Sequence, residues 1–236
     1  MRFFYRHRVV FGFICIVLAL VVTFGICFFA LGVTAGENMR LTVVLDAGHG
    51  GVDGGVLGIT SGVKEIDINL EMSRRLQKKF EEAGFRVVQT RNTEAGLYGS
   101  ATSGYKKRDM KKRAQIINES NPALVLSVHQ NFFSLTSRRG AQVFFREDNE
   151  RSFTLACMIQ TALNSMPECV KQTNPLKGDY YILNCNEYPT VIVECGFLSN
   201  AEDEALLLSE EYRDKLSDAI LQGALAFLAS TAAAHK

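Results

Sequence analysis

The chain has no tryptophan, only four histidines and no C-x-x-C pair. The lack of tryptophan argues against an appended sugar-binding module with an aromatic platform. The lack of paired cysteines argues against a thiolate zinc site. Cys157, Cys169, Cys185 and Cys195 are expected to be free thiols, because a domain of this size does not need disulfide staples. A formal net charge of +1 over 236 residues gives no electrostatic case for nucleic acid as a partner. No internal repeat or low-complexity segment is present. "LDAGHGGVDGG", Leu45 to Gly55, packs five glycines into eleven residues. No Lys-Ser/Thr follows it, and Asp53 stands where a dinucleotide loop needs its third glycine. The loop is therefore not a phosphate cradle. It presents His49 between two acids, Asp46 and Asp53.

The one long uncharged run is Val9 to Val33, long enough to cross a bilayer as a helix. Arg2, Arg6 and Arg8 precede it, so the positive-inside rule leaves the N-terminus in the cytoplasm and the rest outside. Val33-Thr34-Ala35 resembles a signal-peptide cleavage site. The run is longer than the usual apolar core of a signal peptide, which favours an uncleaved anchor. The expected organisation is a basic segment (1–8), an anchor or signal segment (9–33), a linker (34–40), a catalytic domain (41–230) and a tail (231–236).

Within the exported part, short β-branched runs alternate with amphipathic segments. Strands are expected at Thr42–Asp46, Phe85–Thr90, Leu124–His129, Ala141–Arg146, Tyr180–Leu183 and Thr190–Glu194. Helices are expected at Glu65–Ala83, Asp109–Ser120, Asn149–Asn164 and Glu210–Ser230, with Arg91–Arg108 a loop. The apolar face of the first helix is read as Ile66, Leu70, Leu76, Phe80 and Ala83. This order predicts a single α/β domain with a twisted, mainly parallel (mixed) sheet and helices on both faces. Ligands of such sheets bind beyond the carboxyl ends of the strands. His49, His129 and Glu194 all fall there, and Glu65 opens a helix close by in sequence.

His7 and His235 lie near the termini, so only His49 and His129 remain as candidate imidazole ligands. Two histidines and a carboxylate with an open position form a known catalytic zinc arrangement. A second carboxylate beside the attacking water would take its proton. From the residues alone, Glu65 and Glu194 are both candidates for either role. Each residue singly has a plainer reading: strand-end histidines on the surface, Glu65 favoured by the helix dipole, and Glu194 as a salt-bridge partner. The run Lys106, Lys107, Arg108, Lys111, Lys112, Arg113 is either a solvated helix face or a set of contacts to acidic substrate groups.

The segments "VVLDAGHGGVDGGVLG", "KEIDINLEMSRRLQKKFEEAGFRVVQTR", "RAQIIN", "LSVHQN", "GAQVFF" and "VIVECGFLSN" resemble, in order and spacing, the zinc-dependent N-acetylmuramoyl-L-alanine amidases of the Amidase_3 family. The resemblance runs from about Leu41 to Phe227. It implies one Zn2+ per chain held by His49, Glu65 and His129, with Glu194 as the catalytic base and acid. Arg91, Arg113, Asn131 and Asn200 also match; Arg91, Arg113 and Asn131 are taken as substrate-binding candidates, with a structural role for the two arginines equally open. Ala47 and Gln130 depart from the family pattern, and neither change removes a ligand. The implied reaction hydrolyses the amide between N-acetylmuramic acid and the L-alanine of the stem peptide. The short anchored chain and the "SGYKKRDMKKRAQIIN" insert point to the branch acting in spore cortex, on the way to muramic-δ-lactam and germination. The implied partner is peptidoglycan, the N-terminal segment adds the membrane, and the sequence leaves open whether an activating protein partner is needed. The competing classes are another zinc hydrolase, such as a wall peptidase, and a catalytically silent wall-binding scaffold.

Overall fold

A computed structural model describes residues 40–100 and 103–234. The expected anchor, His7 and His235 lie outside the described residues. From Leu41 onward the chain forms one compact unit. Six strands form one sheet: β1 (Thr42–Ala47), β2 (Arg86–Gln89), β3 (Leu124–Asn131), β4 (Gln142–Phe145), β5 (Leu176–Lys177) and β6 (Thr190–Phe197). Their order is β2-β1-β3-β6-β4-β5. All neighbouring pairs are parallel except β4 with β6, which is antiparallel. The expected mixed, mainly parallel sheet is thus observed.

The two-residue period of the strands sorts their side chains. Val43 and Leu45 of β1, Leu124, Leu126 and Val128 of β3, and Val191 and Val193 of β6 enter the larger core. That face is covered by α1 (Glu65–Glu82), α3 (Glu150–Asn164) and α6 (Glu210–Ala234). Val44, Val125 and Ile192 point the other way, to a smaller core under α2 (Tyr105–Ser120) and α4 (Tyr181–Asn184). Both faces being covered explains why the strands read as near-continuous apolar runs.

Several boundaries move. The main apolar stripe of α1 is Ile68, Met72, Leu76 and Phe80, at four-residue spacing, and Ala83 is exposed. Ile66 and Leu70 are also buried. α2 starts at Tyr105 rather than Asp109, directly after Gly104 turns the chain with φ 62°. Tyr180–Leu183 is not a strand. It forms the single turn α4, which buries the consecutive Ile182 and Leu183; a run this short has no diagnostic period. The helix α5 (Ala201–Leu208) was not expected. Asn200 caps it, accepting from the backbone N–H groups of Glu202 and Asp203, so this residue is structural.

α6 is long and apolar enough, by length and composition, to cross a membrane. Leu216, Ile220, Ala224 and Phe227 are instead buried in the larger core. Gly223 brings α6 against α3: a Cβ there would lie 2.5 Å from the Ile159 Cα and 2.8 Å from its N. Helix propensity favours Ala over Gly by about 1 kcal/mol. The obstructing atoms are backbone and cannot swing aside, so overpacking should win, at about 1–3 kcal/mol. Gly223→Ala is therefore expected to lower the urea midpoint, and a raised midpoint would refute this packing account.

Candidate metal centre and active site

The site lies at the carboxyl ends of β1, β3 and β6. β3 and β6 run in parallel register with His129 beside Glu194, so both side chains emerge on the same face. β1 ends at Ala47, and the chain then turns through Gly48 into His49, whose φ is 63°. A non-glycine residue in this left-handed region is held there by its surroundings.

Two arginines do the holding. Arg113 Nη1 donates to the Ala47 carbonyl (2.8 Å) and Nη2 donates to the His49 carbonyl. Arg91 donates from Nε to the Ala47 carbonyl and from Nη2 to the Gly48 carbonyl, both at 2.8 Å. Its Nη1 donates to the Thr93 carbonyl. Both arginines are buried, at 3% and 1% exposure. Of the two readings open for Arg91 and Arg113, substrate contact or structural support, their contacts match the second, because their donors are directed at protein carbonyls and carboxylates. Arg113 is neutralised by Asp46 Oδ1 (2.5 Å) and Asp109 Oδ2 (2.6 Å). Burial alone would raise the Asp46 pKa. The Arg113 charge and the hydroxyl donors Ser127 and Thr90 outweigh it and hold Asp46 at about 2.

His49, Glu65 and His129 converge. One potential ligand atom from each lies within 4.8 Å of the others. Glu65 Oε1 is 3.1 Å from His49 Nε2 and 3.0 Å from His129 Nδ1. Asp53 Oδ1 lies 2.8 Å from His49 Nδ1, which fixes the ring and turns Nε2 inward. Glu65 is 2% exposed. Burial would raise its pKa, but hydrogen bonds from His129 and His49 hold it well below the usual carboxylate range. For His49, burial lowers the pKa, and Glu65 and Asp53 together raise it above the ordinary value. Two glycines make room. A Cβ on Gly48 would lie 2.2 Å from the His129 ring, and one on Gly55, at φ 67°, would lie 2.3 Å from Glu65 Oε2.

Glu194 differs from Glu65. Burial pushes its pKa up to about 7; the His129 charge opposes this and the Glu65 charge adds to it. Its buried Oε2 has no hydrogen-bond partner. The site opens into a cavity of about 560 Å³, walled by Tyr98, Tyr105, Lys106, Phe132, Tyr180 and Tyr181. Asn131, from the expected substrate set, also lines it. Of the basic run, Lys106 and the engaged Arg113 reach this cavity, whereas Lys107, Arg108, Lys111 and Lys112 are exposed elsewhere on α2. The aromatic walls went unread in the sequence, since Tyr98 and Tyr105 sat in an expected loop and Tyr180 and Tyr181 in an expected strand. Cys157, Cys169, Cys185 and Cys195 carry free thiols.

Two imidazoles and one ionised carboxylate suit zinc, and the donor atoms are close enough to share one ion. A second carboxylate stands beside them, desolvated, with one oxygen unpaired among the described residues. The class this defines is a metal-type hydrolase on an α/β sheet.

Residues 43–226 match the Amidase_3 family, N-acetylmuramoyl-L-alanine amidase, and the chain belongs to this family. It is 32% identical over 189 residues to the germination-specific N-acetylmuramoyl-L-alanine amidase of Bacillus subtilis, covering 78% of each chain. Its fold matches the CwlD amidase of Clostridioides difficile, solved in complex with the GerS lipoprotein. The TM-score is 0.77 at 34% identity, over 81% of this chain and 100% of that one. An N-acetylmuramoyl-L-alanine amidase of Clostridium difficile 630 gives 0.73 at 28% identity, over 81% and 98%. The protein is thus an enzyme that hydrolyses the amide joining N-acetylmuramic acid to L-alanine in peptidoglycan, and its catalytic domain works outside the cytoplasm.

The Glu194 environment has a measurable cost. Its pKa rises from 4.5 to about 7 on folding. The native state therefore binds the extra proton, and the associated stability is present below pH 4.5 and lost as pH rises through 7. At one pKa unit per ~1.4 kcal/mol, ionised Glu194 costs about 3 kcal/mol at pH 8. In chelator-treated protein, Glu194→Gln should raise Tm relative to wild type at pH 8 and lose most of that advantage at pH 4.5. An equal shift at both pH values would disprove the assignment.

Proposed function

We propose that the enzyme uses one zinc ion held by His49, Glu65 and His129, with Glu194 as general base and acid. The observation carrying this is the contrast between the two carboxylates: Glu65 ionised between two imidazoles, and Glu194 half-buried beside them with its inner Oε2 unpaired among the described residues. Zinc bound there supplies Lewis acidity and brings the pKa of water near neutrality. Glu194 accepts the proton of the attacking water on its unpaired oxygen. It then delivers that proton to the departing alanine nitrogen as the carbon–nitrogen bond breaks. A group titrating near neutrality suits both halves of this exchange. Asp53 keeps His49 in the orientation that presents Nε2.

Glu194→Gln should keep stoichiometric zinc and its fold, and lose about 10²–10⁴-fold in turnover. Glu65→Gln and His129→Ala should lose zinc and activity together. Zinc content, measured beside stem-peptide release from purified muropeptide, checks all three. Loss of metal from Glu194→Gln with retention by Glu65→Gln would reverse the roles.

Two aspects of the substrate follow. Lys106 lines the cavity and makes no ion pair among the described residues, so it faces the stem-peptide carboxylates. Lys106→Gln should raise KM for muropeptide with free carboxylates and leave kcat within a few-fold; an unchanged KM would rule the contact out. The biological substrate is spore-cortex peptidoglycan, the product leading to muramic-δ-lactam. The germination-specific Bacillus relative and CwlD support this reading. The uncharged Val9–Val33 run anchors the enzyme in the membrane, and the GerS complex of CwlD supports a protein partner here too.

A further inference from the structure

Glu65 is gripped by donors that are not themselves candidate ligands. Val56 N–H donates to Oε2 (3.0 Å), and Gln130 N–H donates to Oε1 (3.1 Å). Asn69, one helical turn after Glu65 on α1, donates from Nδ2 to the same Oε1 (3.2 Å). The same Asn69 nitrogen lies 3.3 Å from the Gly48 carbonyl, in the loop that carries His49. Asn69 is fully buried. A side-chain amide has a donor end and an acceptor end, and only the donor end suits two oxygens. Reversed, Asn69 would set its own oxygen against the Glu65 carboxylate and the Gly48 carbonyl. What prevents reversal is Gln130, 3% exposed, whose Nε2 donates to Asn69 Oδ1 (3.2 Å). Gln130 follows His129 on β3, with its side chain on the α1 side of the sheet.

We propose that Asn69 and Gln130 form a positioning pair for the metal centre: Gln130 sets the direction of the Asn69 amide, and Asn69 holds Glu65 Oε1 and the Gly48 carbonyl at a fixed separation. The pair ties a helix, a strand and the glycine loop, the three elements that carry Glu65, His129 and His49. The Gln130 side chain reaches Glu65 through Asn69, and its other amide atom, the buried Oε1, has no hydrogen-bond partner among the described residues. Asn69 lies outside the cavity lining, behind Glu65, whereas Gln130 is among the residues that border the cavity. This inference rests on the reading of His49, Glu65 and His129 as zinc ligands.

The test is a double-mutant cycle on zinc affinity, measured by competition with a chromophoric chelator, using full-length wild type, Asn69→Ala, Gln130→Leu and the double variant. Urea unfolding of each metal-free form runs in parallel. Each single variant should lose about 10–100-fold in zinc affinity, the range for outer-shell partners of a metal ligand. In the Asn69→Ala background, Gln130→Leu should cause little further loss. A purely structural role predicts lower metal-free stability with unchanged affinity of the folded protein, and that result overturns the proposal. So does full multiplication of the two losses. If Gln130→Leu does not fold, Gln130→Met, which keeps side-chain length without the amide, carries the same expectation. Failure of wild type to bind zinc would overturn the ligand reading as well. Wild-type binding that is lost in His129→Ala but untouched in Gln130→Leu would overturn the positioning pair alone.

Discussion

The buried grip of Arg113 and Arg91 on the backbone carbonyls of Ala47, Gly48 and His49 is the constraint on which the site depends. His49 sits in a left-handed conformation, which a non-glycine residue does not keep unaided. The two guanidinium groups over-determine that turn. Burying Arg113 is tolerable only because Asp46 and Asp109 neutralise it and the carbonyls satisfy its remaining donors. Removing one member of such a buried pair typically costs 3–5 kcal/mol, roughly a third or more of a domain's net stability. The same bonds therefore fold the loop and aim the imidazole.

Around that anchored loop, two carboxylates are driven apart in character. Glu65 enters from the first turn of α1 and meets two imidazoles and three further donors, so it is ionised. Glu194 emerges from a central strand into a desolvated position with no partner for one oxygen among the described residues, so its proton is retained to near neutrality. Opposite environments for adjacent acids are how one site supplies both an ionised ligand and a titrating base. The parallel register of β3 and β6 keeps Glu194 next to His129 on two central, directly paired strands.

Amide hydrolysis of this kind needs the substrate to span a cleft, with glycan on one side and peptide on the other. The cavity suits this, being walled by tyrosines and Phe132 with a single disengaged cation, Lys106, among its described lining residues. The exposed rim is aromatic despite the absence of tryptophan from the chain. Tyrosine supplies a comparable apolar body with a polar tip.

The sequence by itself determined the α/β class and where along the chain the main strands fall, and it singled out the four residues, His49, Glu65, His129 and Glu194, that the fold brings together. Apolar β-branched runs ending at His49, His129 and Glu194 mark strand ends, and strand ends of a parallel sheet meet at one edge. Local signals were weaker where a segment was short: Ile182-Leu183 carries no period, and the helix from Tyr181 replaced an expected strand there. α5 escaped notice although its Asn200 cap and acidic first turn were readable. What only the tertiary structure decided was the surroundings of each acid. Glu65 and Glu194, which the residues alone left interchangeable and the family resemblance told apart, lie in opposite environments built from distant segments. Arg91 and Arg113 leave substrate and structural roles open in one dimension, and in three their donors are taken up by buried protein oxygens. Charge and spacing are local properties, whereas the environment that decides a carboxylate's proton or an arginine's partners is assembled from residues tens of positions apart.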